Sequence, residues 1–205
     1  EITFEVKNST GIITLNRPKA LNALNLNMAI QFSDKLKEWE SDNKIERVLL
    51  LGEGKHFCAG GDVKSVHLSG PFSKLKEEFF SKEYSLNLQI KNFPKPYLSI
   101  WKGVVMGGGV GLSIYGDYRI ATDSTKFAMP ETSIGFFPDV GGSFFLARLE
   151  NNLGKYLGLT GEIVQGKDLL NFNLATHYCP ENKINHLISQ FIICLLYTSD
   201  AADDF

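Results

Sequence analysis

Apolar and polar positions alternate from Thr3 through Phe4, Glu5, Val6 and Lys7, and an apolar run resumes with Ile12, Ile13 and Leu15. Between them stand the turn-forming residues Asn8, Ser9, Thr10 and Gly11, so the pattern predicts a β-hairpin. From residue 26 to 40, Met28, Phe32, Leu36 and Trp39 recur at steps of four, four and three, one apolar stripe along a helix. Val48, Leu49, Leu50 and Leu51 form a short unbroken apolar run ended by glycine, as expected of a strand covered on both faces. A second amphipathic helix is predicted to carry Phe72, Leu75 and Phe79 and to continue past Tyr84. Residues 97–101 read as a strand. The glycine-rich stretch 106–111 then leads into a predicted helix through Tyr115, and 118–121 reads as another strand. Strands alternating with helices predict an α/β fold, and 205 residues suit one domain with a substantial core.

The end of the chain breaks this order. Residues 191–205 swing from apolar to acidic and polar with neither cap nor period. They read as a non-native tail on a core spanning 1–190, with any C-terminal helical elements truncated, the alternative being a frayed natural tail. Glu1 opens almost directly into the first strand pattern, so that start reads as trimmed and says nothing about targeting.

Charge and cysteine usage narrow the function class. Twenty-one basic residues against 23 acidic give a net charge of −2, without the basic excess expected of a nucleic-acid binder or a partner of acidic membranes. No stretch approaches the ~18 uninterrupted apolar residues of a transmembrane helix, the longest candidate, 104–115, being broken by four glycines. Cys58, Cys179 and Cys194 are odd in number and widely spaced. His56 and Cys58 have no second ligand pair, which argues against a disulfide framework or a structural zinc site and for a reduced, intracellular chain.

Three segments could carry chemistry: 57–62 (FCAGGD), 107–111 (GGGVG) and 128–142 (AMPETSIGFFPDVGG). Glycines after buried strands admit close backbone approach, and two N–H groups from separate segments can form an oxyanion hole. The same glycines also suit plain packing of helix on sheet. Neither a dinucleotide fingerprint nor a P-loop lysine is present. In the third segment Glu131 and Asp139 each follow a proline among apolar residues. Such carboxyls either titrate high and serve as acid or base, or cap a helix or turn. Cys58, with no histidine placed to activate it, reads as a small buried hydrophobe.

Together these segments resemble the crotonase (enoyl-CoA hydratase/isomerase) superfamily. The resemblance runs from about residue 2 to 188 through NRPKALNAL at 16–24, FCAGGD at 57–62, EEFFSKEY at 77–84, MGGGVG at 106–111 and MPETSIGFFPDVGG at 129–142. The last segment is the most specific, and within the superfamily the match is to the 3-hydroxyisobutyryl-CoA hydrolase branch. The resemblance implies a spiral of ββα units, usually on a trimeric plan and so a homo-oligomer, with helical C-terminal elements completing the site. It assigns the oxyanion donors to Gly61 and Gly108, the main catalytic role to Glu131 and a partner role to Asp139, at the substrate hydroxyl or in proton transfer. Glu83 would line the substrate pocket. Backbone at Ala59, Gly60, Asp62 and Val63, with Lys19, Ala20, Leu21 and Ala23, would hold the CoA moiety. Hydratases of the superfamily carry a first catalytic glutamate three residues beyond the middle glycine of the second loop; here that position is Gly111. The resemblance therefore favours hydrolysis of a short acyl-CoA thioester in mitochondrial valine breakdown, with no cofactor beyond the CoA of the substrate. Enoyl-CoA hydration or isomerisation, non-catalytic acyl-CoA binding, and a peroxisomal or cytoplasmic location are the alternatives.

Overall fold

The computed structural model describes residues 1–193. Strand β1 (Ile2–Lys7) pairs antiparallel with β2 (Thr10–Leu15), giving the expected hairpin. Helix α1 (Leu26–Ser41) follows, with the Asn25 side chain accepting the Met28 N–H at its N-terminus and Met28, Phe32, Leu36 and Trp39 buried as one stripe. Next come β3 (Arg47–Gly52), α2 (Val63–Leu68), α3 (Leu75–Lys91), β4 (Tyr97–Trp101), β5 (Val104–Met106) and the single-turn helix α4 (Gly108–Gly111). Strands β6 (Tyr118–Ala121) and β7 (Lys126–Ala128) lead to α5 (Gly142–Leu146) and α6 (Leu153–Thr160). The described chain closes with β8 (Val164–Gln165), α7 (Asp168–Asn171), β9 (His177–Tyr178) and α8 (Ile184–Ile192).

Successive units place one strand in each of two sheets. A six-stranded sheet has the order β1-β2-β3-β4-β6-β9, parallel from β2 onward, and a three-stranded sheet has the order β5-β7-β8. Thus β4 enters the large sheet and β5 the small one, then β6 the large and β7 the small. The segment after β3 joins the small sheet through a parallel bridge of Cys58 to Val105. The central strands of the large sheet are apolar on both faces because both are covered. Ile13, Leu15 and Leu50 face the main core with α1, whereas Ile12, Leu49, Leu98 and Ile120 face Ile184, Leu187 and Phe191 of α8.

Two expectations need correction. Phe72 belongs to no helix and is 99% exposed: α2 stops at Leu68, Gly70 takes φ +84 and Pro71 follows, so α3 starts only at Leu75. Helix α4 does not run through Tyr115. After Gly111 it tightens into turns, with Ser113 N–H bonding to Val110 and the Ser113 hydroxyl to the Gly109 carbonyl. Helix α8 carries the chain to Ile192 and buries Phe191, whose carbonyl accepts from Arg47. Residues 194–205, the rest of the expected tail, and Cys194 lie outside the described residues. Among the described residues no helix is long and apolar enough to cross a membrane.

Candidate active site

Three loops leave the small sheet at one edge. Met106 of β5 is in register with Ala128 of β7, and Cys58 bonds to both flanks of Val105, its N–H to the Val104 carbonyl and its carbonyl to the Met106 N–H. Because these strands run parallel, the segments that follow them, 59–62, 107–111 and 129–131, emerge side by side at their carboxyl ends.

The close packing of those loops depends on missing side chains. A Cβ on Gly108 would lie 3.0 Å from the Gly61 nitrogen and 2.3 Å from Oε1 of Glu83, and one on Gly107 would lie 2.9 Å from Oε1 of Glu131. Gly60 (φ +115) and Gly107 (φ +47) also hold backbone conformations that side chains resist. With a nitrogen-to-Cβ span of about 2.5 Å within a residue, the amide nitrogens of Gly61 and Gly108 stand at most about 5.5 Å apart. No acceptor among the described residues takes either N–H. An oxygen seated between them could accept from both.

Two buried carboxyls flank that space. Glu131 opens a 3-10 turn just beyond β7, is 8% exposed, and its Oε2 has no hydrogen-bond partner. Glu83, 2% exposed on α3, has an unpartnered Oε1. Burial pushes the Glu83 carboxyl up to about 8, with the charges of Asp139 and Glu131 adding to the rise. Burial likewise lifts Glu131 to about 7, opposed by its own backbone N–H and aided by Asp139. Asp139 is also raised by burial, less so because the Tyr84 hydroxyl donates to its Oδ2 at 2.7 Å. Asp139 does not cap α5, which is preceded by Gly141 with no side-chain cap; its side chain turns to Tyr84 instead. Cys58 is fully buried and desolvation pushes its thiol up to about 12, so it packs as a small apolar group.

The segments 19–23 and 59–63 are stitched into one ledge. Ala59 N–H bonds to the Leu21 carbonyl, Leu24 N–H to Gly60, and Asp62 N–H to Leu24. Lys19 and Ala20 form a 3-10 turn, Leu21 (φ +50) is exposed beyond it, and Ala23 offers its carbonyl to Arg17 at 2.7 Å. The side chain of Asp62 is occupied twice, capping α2 at Ser65 and pairing with Arg17 at 2.9 Å, and the Val63 amide bonds back to Gly61. Two side chains that hold this ledge were not singled out from sequence. Arg17 also reaches Glu1 at 3.0 Å, and buried Asn22 donates to the carbonyls of Glu53 and His56. Both lie inside the NRPKALNAL stretch, which was the available signal. Tyr84 closes the EEFFSKEY stretch, whereas Asn87 carried no signal at all. No group of three His, Cys, Asp or Glu side chains among the described residues could hold a metal ion.

Known proteins resemble the chain in sequence and in fold. The chain is 48% identical over 189 residues to the mitochondrial 3-hydroxyisobutyryl-CoA hydrolase of Danio rerio, a match covering 91% of this chain and 50% of that protein. It is 47% identical to the Homo sapiens protein of the same name, over 90% of this chain and 48% of that one. The chain therefore spans about half the length of the curated relatives it matches. Among solved structures, a carnitinyl-CoA dehydratase from Mycobacterium thermoresistibile superposes with a TM-score of 0.90 at 42% identity, covering 93% of this chain and 57% of that one. An enoyl-CoA hydratase from Rhodobacter sphaeroides 2.4.1 gives 0.92 at 37% identity, covering 97% and 60%. The sequence profile described as enoyl-CoA hydratase/isomerase matches residues 10–201, and the chain belongs to that family.

Proposed function

We propose that the protein hydrolyses a short-chain acyl-CoA thioester, 3-hydroxyisobutyryl-CoA or a close analogue, giving the free acid and CoA in mitochondrial valine breakdown. The observation that carries this reading is the pairing of a carboxyl at 131 with glycine at 111. Glu131 adjoins the two free amides, while Gly111 packs against Val140 and Asn87 and leaves no room for a second carboxylate there. The names of the relatives support the substrate and the compartment.

In this reading the thioester carbonyl oxygen sits between the N–H groups of Gly61 and Gly108. Attack at the carbonyl carbon moves negative charge onto that oxygen, and each fixed donor is worth ~2.7–4 kcal/mol to the transition state. Glu131, with its carboxyl near neutrality, takes a proton from the attacking water or attacks the carbon itself to form a mixed anhydride that water then opens. In the first route the carbon–sulfur bond breaks and the proton that Glu131 took from water passes to the departing sulfur; in the second the thiolate leaves as the anhydride forms, and the water that opens the anhydride supplies its proton. Asp139 raises the proton affinity of Glu131, and the ledge of 19–23 and 59–63 would carry the CoA moiety.

The test is thiol release by the full-length protein given 3-hydroxyisobutyryl-CoA. Glu131→Gln should lower kcat by at least 100-fold. Consumption of crotonyl-CoA without thiol release, or a fully active Glu131→Gln enzyme, overturns the proposal. A single turnover in oxygen-18 water separates the two routes, since only the anhydride route leaves the label in Glu131.

A further inference from the structure

Asn87 is 5% exposed, and neither its Nδ2 nor its Oδ1 has a hydrogen-bond partner. A buried amide left unpaired is costly, so an orphaned one in a folded core marks a place where another group completes it. Its position is set by α3: Asn87 lies one turn beyond Glu83, and the two face two glycines of α4. Glu83 meets Gly108, and a Cβ on Gly111 would lie 2.9 Å from Nδ2 and 3.0 Å from Oδ1 of Asn87. Asn87 also lines a cavity of about 210 Å³ between α3 and residues 140–144. The other polar side chains around that cavity are engaged. Tyr84 donates to Asp139, Tyr115 donates to the Val140 carbonyl at 2.9 Å, and the Lys91 ammonium lies 3.8 Å from the centre of the Phe144 ring. The amide of Asn87 alone among them lacks a counterpart.

A carboxamide both donates and accepts, and so does a hydroxyl, which makes the two a reciprocal pair. The reach is also right. A hydroxyl on the third acyl carbon stands about 3.5 Å from the carbonyl carbon, and a hydrogen bond adds about 2.8 Å. Together they cover the ~5.4 Å turn that separates Glu83, beside the free amides, from Asn87. We infer that Asn87 recognises the 3-hydroxyl of the acyl group and sets the preference for 3-hydroxyacyl over plain acyl thioesters. The inference rests on the hydrolase reading for its substrate and names a specificity residue that the reading does not include.

The experiment compares full-length wild type with Asn87→Leu on 3-hydroxyisobutyryl-CoA and on isobutyryl-CoA, which differs only by lacking the hydroxyl. The ratio of the two kcat/KM values should fall at least tenfold in the variant. A ratio unchanged within twofold overturns the inference, even if both activities drop together. Melting curves accompany each variant, and Asn87→Ala is read on the same ratio if the leucine variant does not fold. If wild type releases thiol from neither ester, the hydrolase reading fails and calorimetric binding of both esters is read instead. Selective binding of the hydroxylated ester that Asn87→Leu abolishes sustains the recognition role, and equal binding ends it.

Discussion

The hydroxyl of Tyr84 donates to Oδ2 of Asp139 across 2.7 Å, tying the middle of α3 to the loop that precedes α5. The two residues are 55 positions apart, and the bond favours the ionised form of an acidic side chain beside Glu131, opposing the rise that burial causes.

Removing that donor should therefore raise the proton affinity of Asp139. Tyr84→Phe is expected to move the acidic limb of the kcat/KM profile to higher pH and to slow turnover several-fold. Tyr84 is 39% exposed, so the cost in stability should stay near the lower end of ~0.5–1.5 kcal/mol. A pH–rate profile with an unmoved acidic limb would remove Asp139 from the proton path.

The raised carboxyls also set how stability depends on pH. Glu83 titrates at about 8 and Glu131 at about 7 in the folded chain, against an ordinary value of 4.5. Between those values the native state holds more protons than the unfolded state, so stability falls as pH rises from about 4.5 to about 8. Glu83→Gln, which cannot ionise, should melt above wild type at pH 8 and lose that advantage towards pH 5. Calorimetric melts across this range check the sign, and a wild type that gains stability over the same interval refutes it.

Gly108→Ala tests the approach of α4 to α3. The new methyl would arrive 2.3 Å from Oε1 of Glu83 and 3.0 Å from the Gly61 nitrogen, displacing one free amide or the carboxyl. A loss of kcat/KM of about 100-fold, ~2.7 kcal/mol, is expected. Overpacking costs ~1–3 kcal/mol, so the variant should still fold with a lowered melting temperature. Steady-state kinetics beside a melting curve decide the matter, near-normal turnover being the contrary result.

Arg17 ties Glu1, Asp62 and the Ala23 carbonyl together. Arg17→Lys keeps the charge but cannot span three acceptors, because a single ammonium lacks the planar fork of a guanidinium. The KM for acyl-CoA should rise about tenfold while kcat changes by less than about threefold, if the ledge holds the CoA moiety. A fall confined to kcat would place Arg17 elsewhere in the reaction.

Locally patterned elements could be read directly from the chain. The hairpin, α1, β3, β4 and β6 announce themselves because burial on one stripe or on both faces imposes a period of 3.6, a period of 2 or an unbroken apolar run on neighbouring residues. The segments 59–62, 107–111 and 129–139 were visible too, since glycines and post-proline carboxyls are rare enough to stand out. The helix carrying Phe72 failed because one apolar residue fits a stripe whether or not Gly70 and Pro71 allow the backbone to continue. Asn87 stayed hidden because a polar residue on a helix looks the same whether it meets water or Gly111.

The order of residues alone determined the α/β class, the strands that had to be buried and the loops rich enough in glycine to let backbone approach backbone. Folding decided which of those loops meet. The parallel register of Met106 with Ala128 and of Cys58 with Val105 brings three distant segments to one edge, and α3 then lays Glu83, Tyr84 and Asn87 across them. That convergence has no local signature, because contacts between residues 20 to 80 positions apart depend on strand pairing and helix packing rather than on any neighbouring side chain.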